Sequence, residues 1–127
     1  MKYLCLICAE TLMEDMTEAD AAKHLEEYRD LTENLRNSGQ FIGGNRLLPS
    51  DAATTVRVRK GKVSTTDGPF AETKEQLGGY LLIEARDLNE AIQVASRIPG
   101  ARIGCVEVRP IAEDAPTLRA LGFAEPD

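Results

Sequence analysis

Histidine occurs once in these 127 residues, cysteine three times, and basic residues are fewer than acidic ones. Each shortage narrows what the chain can do. One histidine and no second cysteine pair leave no donor set for a structural zinc site, so no metal and no cofactor are expected. With 15 Lys and Arg against 21 Asp and Glu the net charge is −6, which argues against direct nucleic-acid binding, whose affinity comes from cations neutralising phosphates. No apolar run approaches the ~20 residues that cross a bilayer. Lys2 is followed by only a short apolar run before Glu10, so neither a membrane span nor a signal peptide is expected. The expected compartment is the cytoplasm, whose reducing conditions suit three free thiols. Repeats, a G-x-G-x-x-G fingerprint, a phosphate loop and a serine-nucleophile motif are absent as well.

What is present reads as one domain with a single core. Residues 2–8 are apolar at odd and even positions, so they form a strand covered on both faces. Thr17 is a helix N-cap, with Glu18 and Asp20 in the first turn beside the positive end of the dipole. Ala21, Leu25, Tyr28, Thr32 and Leu35 continue at helical spacing, and Gly39 is the stop. Residues 41–48 read as a strand. Val56 and Val58 alternate with Arg57 and Arg59, and the turn at Lys60, Gly61 and Lys62 returns the chain through residues 63–66 as a hairpin. A strand over residues 79–85 precedes a second helix, capped by Asp87 and Glu90 and carried by Ile92, Ala95 and Ile98. Pro99 and Gly100 end it. In residues 103–109, Val106 and Val108 share one face, and Cys105, Glu107 and Arg109 the other.

This order predicts an α+β fold, a ferredoxin-like split βαβ unit with an inserted hairpin. Right-handed crossovers place both helices on one sheet face. The other face then mixes half of the apolar first strand with Glu107 and Arg109, which suits a partner subunit enclosing a pocket.

Cys5 and Cys8 form a C-x-x-C pattern, but within a strand their alpha carbons sit roughly 10 Å apart with side chains on opposite faces, beyond disulfide reach. His24, the only histidine, lies one helical turn from Tyr28. It is one candidate base, and a helix-flank residue without a chemical task is the alternative. Asp67 is the other candidate base, held at a pocket mouth by the turn Asp67, Gly68, Pro69, Phe70. The alternative there is a purely loop-forming unit with Phe70 anchored in the core. Glu72, Lys74 and Glu75 read as a solvated charged segment, and Gly78 with Gly79 as a close backbone approach or bulge. Arg57 and Arg109 are candidate anion holders. Glu107 reads as the partner of an arginine across the sheet or dimer. With Tyr28, Glu72 and Tyr80 these complete the candidate ligand-binding set.

Residues 67–80, from Asp67, Gly68, Pro69 and Phe70 to Gly78, Gly79 and Tyr80, resemble the signature of the DGPF group of the YCII-related family. The likeness extends to the opening residues 1–7, to the run Thr54, Thr55, Val56, Arg57, Val58, Arg59, and to Val106, Glu107, Val108, Arg109, Pro110. It implies a YCII-related domain over residues 1–112, followed by a C-terminal tail over 113–127, and a homodimer of the α+β barrel type. It implies a helix histidine acting with an aspartate; counted back from the helix-ending glycine, that position falls nearer Tyr28 than His24. Members of the wider superfamily resemble muconolactone isomerases and a dehydrochlorinase, so the implied function is binding of a small anionic metabolite, with cofactor-independent proton transfer as its enzymatic form. The competing implication is a non-catalytic regulatory or interaction module partnered with an extracytoplasmic-function sigma factor.

Overall fold

A computed structural model describes residues 1–10 and 15–124. Among these residues the strands are β1 (Lys2–Ala9), β2 (Phe41–Arg46), β3 (Thr54–Arg59), β4 (Lys62–Asp67), β5 (Gln76–Glu84) and β6 (Gly104–Pro110). The helices are α1 (Glu18–Asn37), between β1 and β2, α2 (Leu88–Ser96), between β5 and β6, and α3 (Ala115–Ala120). Tight 3-10 turns occupy Ser50–Ala52 and Pro99–Arg102. The fold is α+β, as expected.

Four strands form one antiparallel sheet in the order β2-β5-β1-β6. β5 lies between the two strands that α1 connects, and β1 lies between the two that α2 connects. The hairpin of β3 and β4 is a separate two-stranded sheet, as the alternation of Val56 and Val58 with Arg57 and Arg59 predicts.

Local chemistry sets the helix ends. The Thr17 hydroxyl accepts the Asp20 N–H at 3.2 Å, and Asp87 Oδ1 accepts the Glu90 N–H at 2.9 Å. Glu90 also accepts the N–H of Arg86 and the side-chain amide of Gln40, at 3.3 and 3.1 Å, which ties α2 to the residue before β2. The Asp20 and Glu90 N–H groups are among the backbone donors that a helix start leaves without partners.

One sheet face holds the core. Tyr3 and Cys5 of β1 and Leu81 and Ile83 of β5 pack with Leu31 and Leu35 of α1 and with Ala91, Val94 and Ala95 of α2. Ile98 closes this cluster, with Val106 and Val108 against it. Fully burying side chains such as Leu35, Ile83 and Ile98 stabilises the fold by about 1.5–3 kcal/mol each. The even positions of β1, Leu4, Leu6 and Cys8, are half-buried on the face without helices.

Two expectations need correction. Phe70 is 83% exposed, so it does not anchor its loop in the core; the loop leaves the body at the projecting hairpin, where no core lies within reach. The buried stripe is Ala91, Val94 and Ala95 of α2 with Ile98 just beyond its end, and Ile92 is 50% exposed. That stripe follows the i, i+3, i+4, i+7 spacing of a helix face, which a spacing of three throughout does not. The segment after residue 112 contains α3, with Asp114 at its N-cap, and residues 125–127 lie outside the described region.

Candidate functional site

α1 supplies the site's central pair because its two halves meet different surroundings. Leu31 and Leu35 in its second half are buried in the core. His24 and Tyr28, one turn apart and closer to its N-terminus, meet edge to face with ring centroids 4.9 Å apart and an interplanar angle of 72°. They border a cavity of about 400 Å³ between α1, β2, β5 and the turn that follows α2.

Its wall is mostly apolar, with Ile7, Leu25, Phe41, Leu47, Leu48, Leu81 and Ile103. Polar side chains line it at His24, Tyr28, Thr32 and Arg46, while Asn45 and Tyr80 border it with their side chains on the other face of the sheet. The Asn45 side-chain amide donates to the Tyr80 hydroxyl at 2.9 Å. Beneath α1 the wall includes Gly44, Gly78 and Gly79, and glycine has no side chain to fill the space between helix and sheet. A Cβ on Gly79 would come within 2.8 Å of the Asn45 carbonyl oxygen, so the close backbone approach expected there is present, between β5 and β2.

The cavity lies on the helix-bearing side of the sheet. It is distinct from the pocket expected between two subunits on the helix-free face, a face that is open in the single chain. Of the candidate residues, His24 and Tyr28 are brought together at its wall; Tyr80 reaches the wall from β5, but its side chain, paired in register with Leu6, is on the helix-free face. Asp67, Arg57, Glu72, Glu107 and Arg109 lie outside it. Glu107 and Arg109 are exposed on the helix-free face and pair with each other along β6, so the arginine partnering Glu107 is on its own strand. Asp67 ends β4 opposite Thr54. The turn after it is held through Gly68, whose φ is +96°, whose N–H donates to Ala53 at 2.7 Å and whose carbonyl accepts the Thr55 hydroxyl at 2.8 Å. Arg57 and Glu72 are exposed.

Arg46, Phe41, Leu47 and Gly100 belong to the wall and are absent from the sequence candidates. The dipeptide Pro99, Gly100 was a visible signal, legible only as the end of α2. In the fold the Gly100 N–H donates to the Tyr28 hydroxyl at 3.2 Å. A Cβ at position 100 would lie 2.6 Å from Ile7 Cγ2 and 2.9 Å from Tyr28 Oη, so only glycine fits against that hydroxyl.

The electrostatics divide the pair into two roles. Burial lowers the His24 pKa from its ordinary value of 6.5; nearby Glu27 opposes the shift and Arg102 adds to it. The imidazole is therefore largely neutral at neutral pH and able to accept a proton. Burial raises the Tyr28 pKa, against smaller opposing effects of the Gly100 hydrogen bond and Arg102, so the phenol keeps its proton and remains a donor. Glu27 is held below the usual carboxylate range by its hydrogen bond from Arg102, which keeps a paired charge beside His24.

Among the described residues there is no cluster of three or more metal-ligating side chains and no helix long and apolar enough to cross a membrane. A model of the YCII-related domain matches residues 1–114. An uncharacterized protein of Rhizobium meliloti (strain 1021) is 48% identical over 69 residues, which cover 53% of this chain and 56% of that protein. The chain thus spans about half the length of that relative. With the match running from β1 through β6 and including every wall residue of the cavity, the chain belongs to the YCII-related family.

Proposed function

We propose that the protein binds a small, largely apolar molecule with one polar or anionic group in the cavity between α1 and the sheet, and that His24 accepts a proton from it. The observation that carries this reading is the His24–Tyr28 pair at the wall of a mostly apolar space of about 400 Å³. An apolar pocket with a few convergent polar groups and a shifted titratable residue is the usual form of a small-molecule site. A neutral imidazole removes a proton from a carbon next to a carbonyl. The Tyr28 O–H, whose oxygen already accepts from Gly100, donates to the oxygen on which negative charge develops. Arg46 brings a cation to the same wall. The test is a thermal-shift screen of small oxo-acids and lactones, since a ligand of the folded state raises its apparent stability. A hit should perturb the His24 ring resonances and lose its shift in His24→Gln and Tyr28→Phe; a hit that leaves both resonances unmoved refutes the site.

A second reading, an interaction surface, is favoured by the hairpin. Val56, Val58 and Val63 are all exposed and share one face, since Val58 pairs with Val63 and Val56 with Thr65. Two-stranded hairpins are marginal alone. The fitting occupant is a second copy of this chain. Residues 54–67 hold Arg57, Arg59, Lys60 and Lys62 against Asp67, a net +3, so the remaining residues carry −9 of the total −6. Leu4, Leu6 and Leu82 on the helix-free face, all half-buried, offer further apolar surface to such a partner.

A further inference from the structure

The antiparallel register of β1 and β6 sets Cys8 directly opposite Cys105. Cys8 is half-buried and Cys105 exposed. Paired residues of an antiparallel ladder point to one face, so the two thiols are neighbours there, close enough to influence each other's proton affinity, as Glu75 does that of Cys105. Facing residues of an antiparallel pair have alpha carbons about 4.5–5.5 Å apart, inside the span that a disulfide bridges. At the next pair the partner backbone leaves no room for a side chain. A Cβ on Gly104, opposite Ala9, would lie 2.0 Å from the Cys8 carbonyl oxygen and 2.7 Å from Ala9 Cα. Both thiols are on the helix-free side, away from the cavity and independent of its use.

We propose that Cys8 and Cys105 form a dithiol site that takes thiophilic electrophiles and closes to an intrachain disulfide when oxidised by a hydroperoxide. One sulfur attacks the peroxide oxygen. The O–O bond breaks, an alcohol or water leaves, and that cysteine becomes a sulfenic acid. The second thiol attacks the oxidised sulfur, the S–O bond breaks, and water departs with the thiol proton. Two thiols together give up two electrons and the peroxide takes both.

Neighbouring carboxylates restrain the step. Glu75 by its hydrogen bond, helped by burial, raises the Cys105 thiol to about 11. Burial, followed by Glu107 and Glu75, raises Cys8. The attacking thiolate is therefore scarce at neutral pH.

The reduced full-length protein is treated with hydrogen peroxide at pH 8, and separately with phenylarsine oxide, which bridges two adjacent thiols. The expected result is loss of two of the three titratable thiols, a chain lighter by two hydrogens with no covalent link to a second chain under denaturing conditions, and a peptide map joining Cys8 to Cys105. One arsenical should bind per chain, be lost in Cys105→Ser and Cys8→Ser, and be kept in Cys5→Ala. Cys105 is exposed, so its serine variant keeps the fold and can be compared directly. Glu75→Gln should oxidise more than about threefold faster, because more thiolate is present. A sulfinate on Cys105 without a link to Cys8, a bridge to Cys5 or an interchain bridge overturns the proposal, and an unchanged rate in Glu75→Gln overturns the restraining role of Glu75.

Discussion

The Tyr28 hydroxyl accepts the backbone N–H of Gly100 at 3.2 Å, joining the middle of α1 to the turn behind α2 across one end of the cavity. The bond satisfies a buried backbone donor and also orients the ring that meets His24. Replacing Tyr28 by Phe keeps the ring and leaves that donor unpaired, at a cost of about 1–3 kcal/mol. Urea denaturation is expected to show the lower midpoint, with the slope unchanged.

Gly100→Ala presses on the same contact from the other side. The new methyl would sit 2.6 Å from Ile7 Cγ2 and 2.9 Å from Tyr28 Oη, and overpacking of this kind costs about 1–3 kcal/mol. Loss of stability should come with a displaced His24 ring signal in the proton spectrum. A variant as stable as the parent, with that signal unmoved, would contradict the tight contact.

Acidification should weaken the fold through His24. Its folded pKa lies below the ordinary 6.5, so between those two values the unfolded chain binds more protons than the folded one. Stability therefore rises with pH through that window and is lost as pH falls below about 6.5. His24→Gln removes this titration. Its unfolding free energy should be flatter than the parent's from pH 7 down to about 5, above the range in which carboxylates titrate.

Phe70 presents most of its surface to solvent, so Phe70→Ala should change stability by no more than about 0.5 kcal/mol. A loss near the ~3 kcal/mol typical of a buried phenylalanine would show that a partner covers it. Repeating the measurement over a range of protein concentrations separates those cases.

Light scattering at micromolar concentration is expected to give the mass of a dimer. Val58→Glu together with Val63→Glu should give a monomer, since the two side chains oppose each other across β3 and β4 and like charges there repel within the hairpin and against an acidic partner surface. Circular dichroism of that variant should retain the parent's helix signal. A monomeric parent would remove the second copy as the hairpin's occupant.

Features that depend on near neighbours in the chain were legible in the residues. Thr17 and Asp87 cap helices because each side chain needs only the N–H three residues on, and the alternation of Val106, Glu107, Val108 and Arg109 places the strand's faces because a strand repeats every two residues. The meeting of His24 with Tyr28 is likewise a matter of one helical turn. Other features depend on what the chain brings back from far away. Gly100 reads as a helix stop until residue 28 arrives against it; Cys8 pairs with Cys105 because of a register between strands nearly a hundred residues apart; and Phe70, apolar enough for any core, is exposed because the hairpin carries it off the body. The side of the sheet that holds the cavity belongs to this second kind. An apolar residue carries a tendency to be buried, but which surface buries it is a property of the assembled layers, and the space left under α1 depends on how the glycines of β2 and β5 line up beneath it.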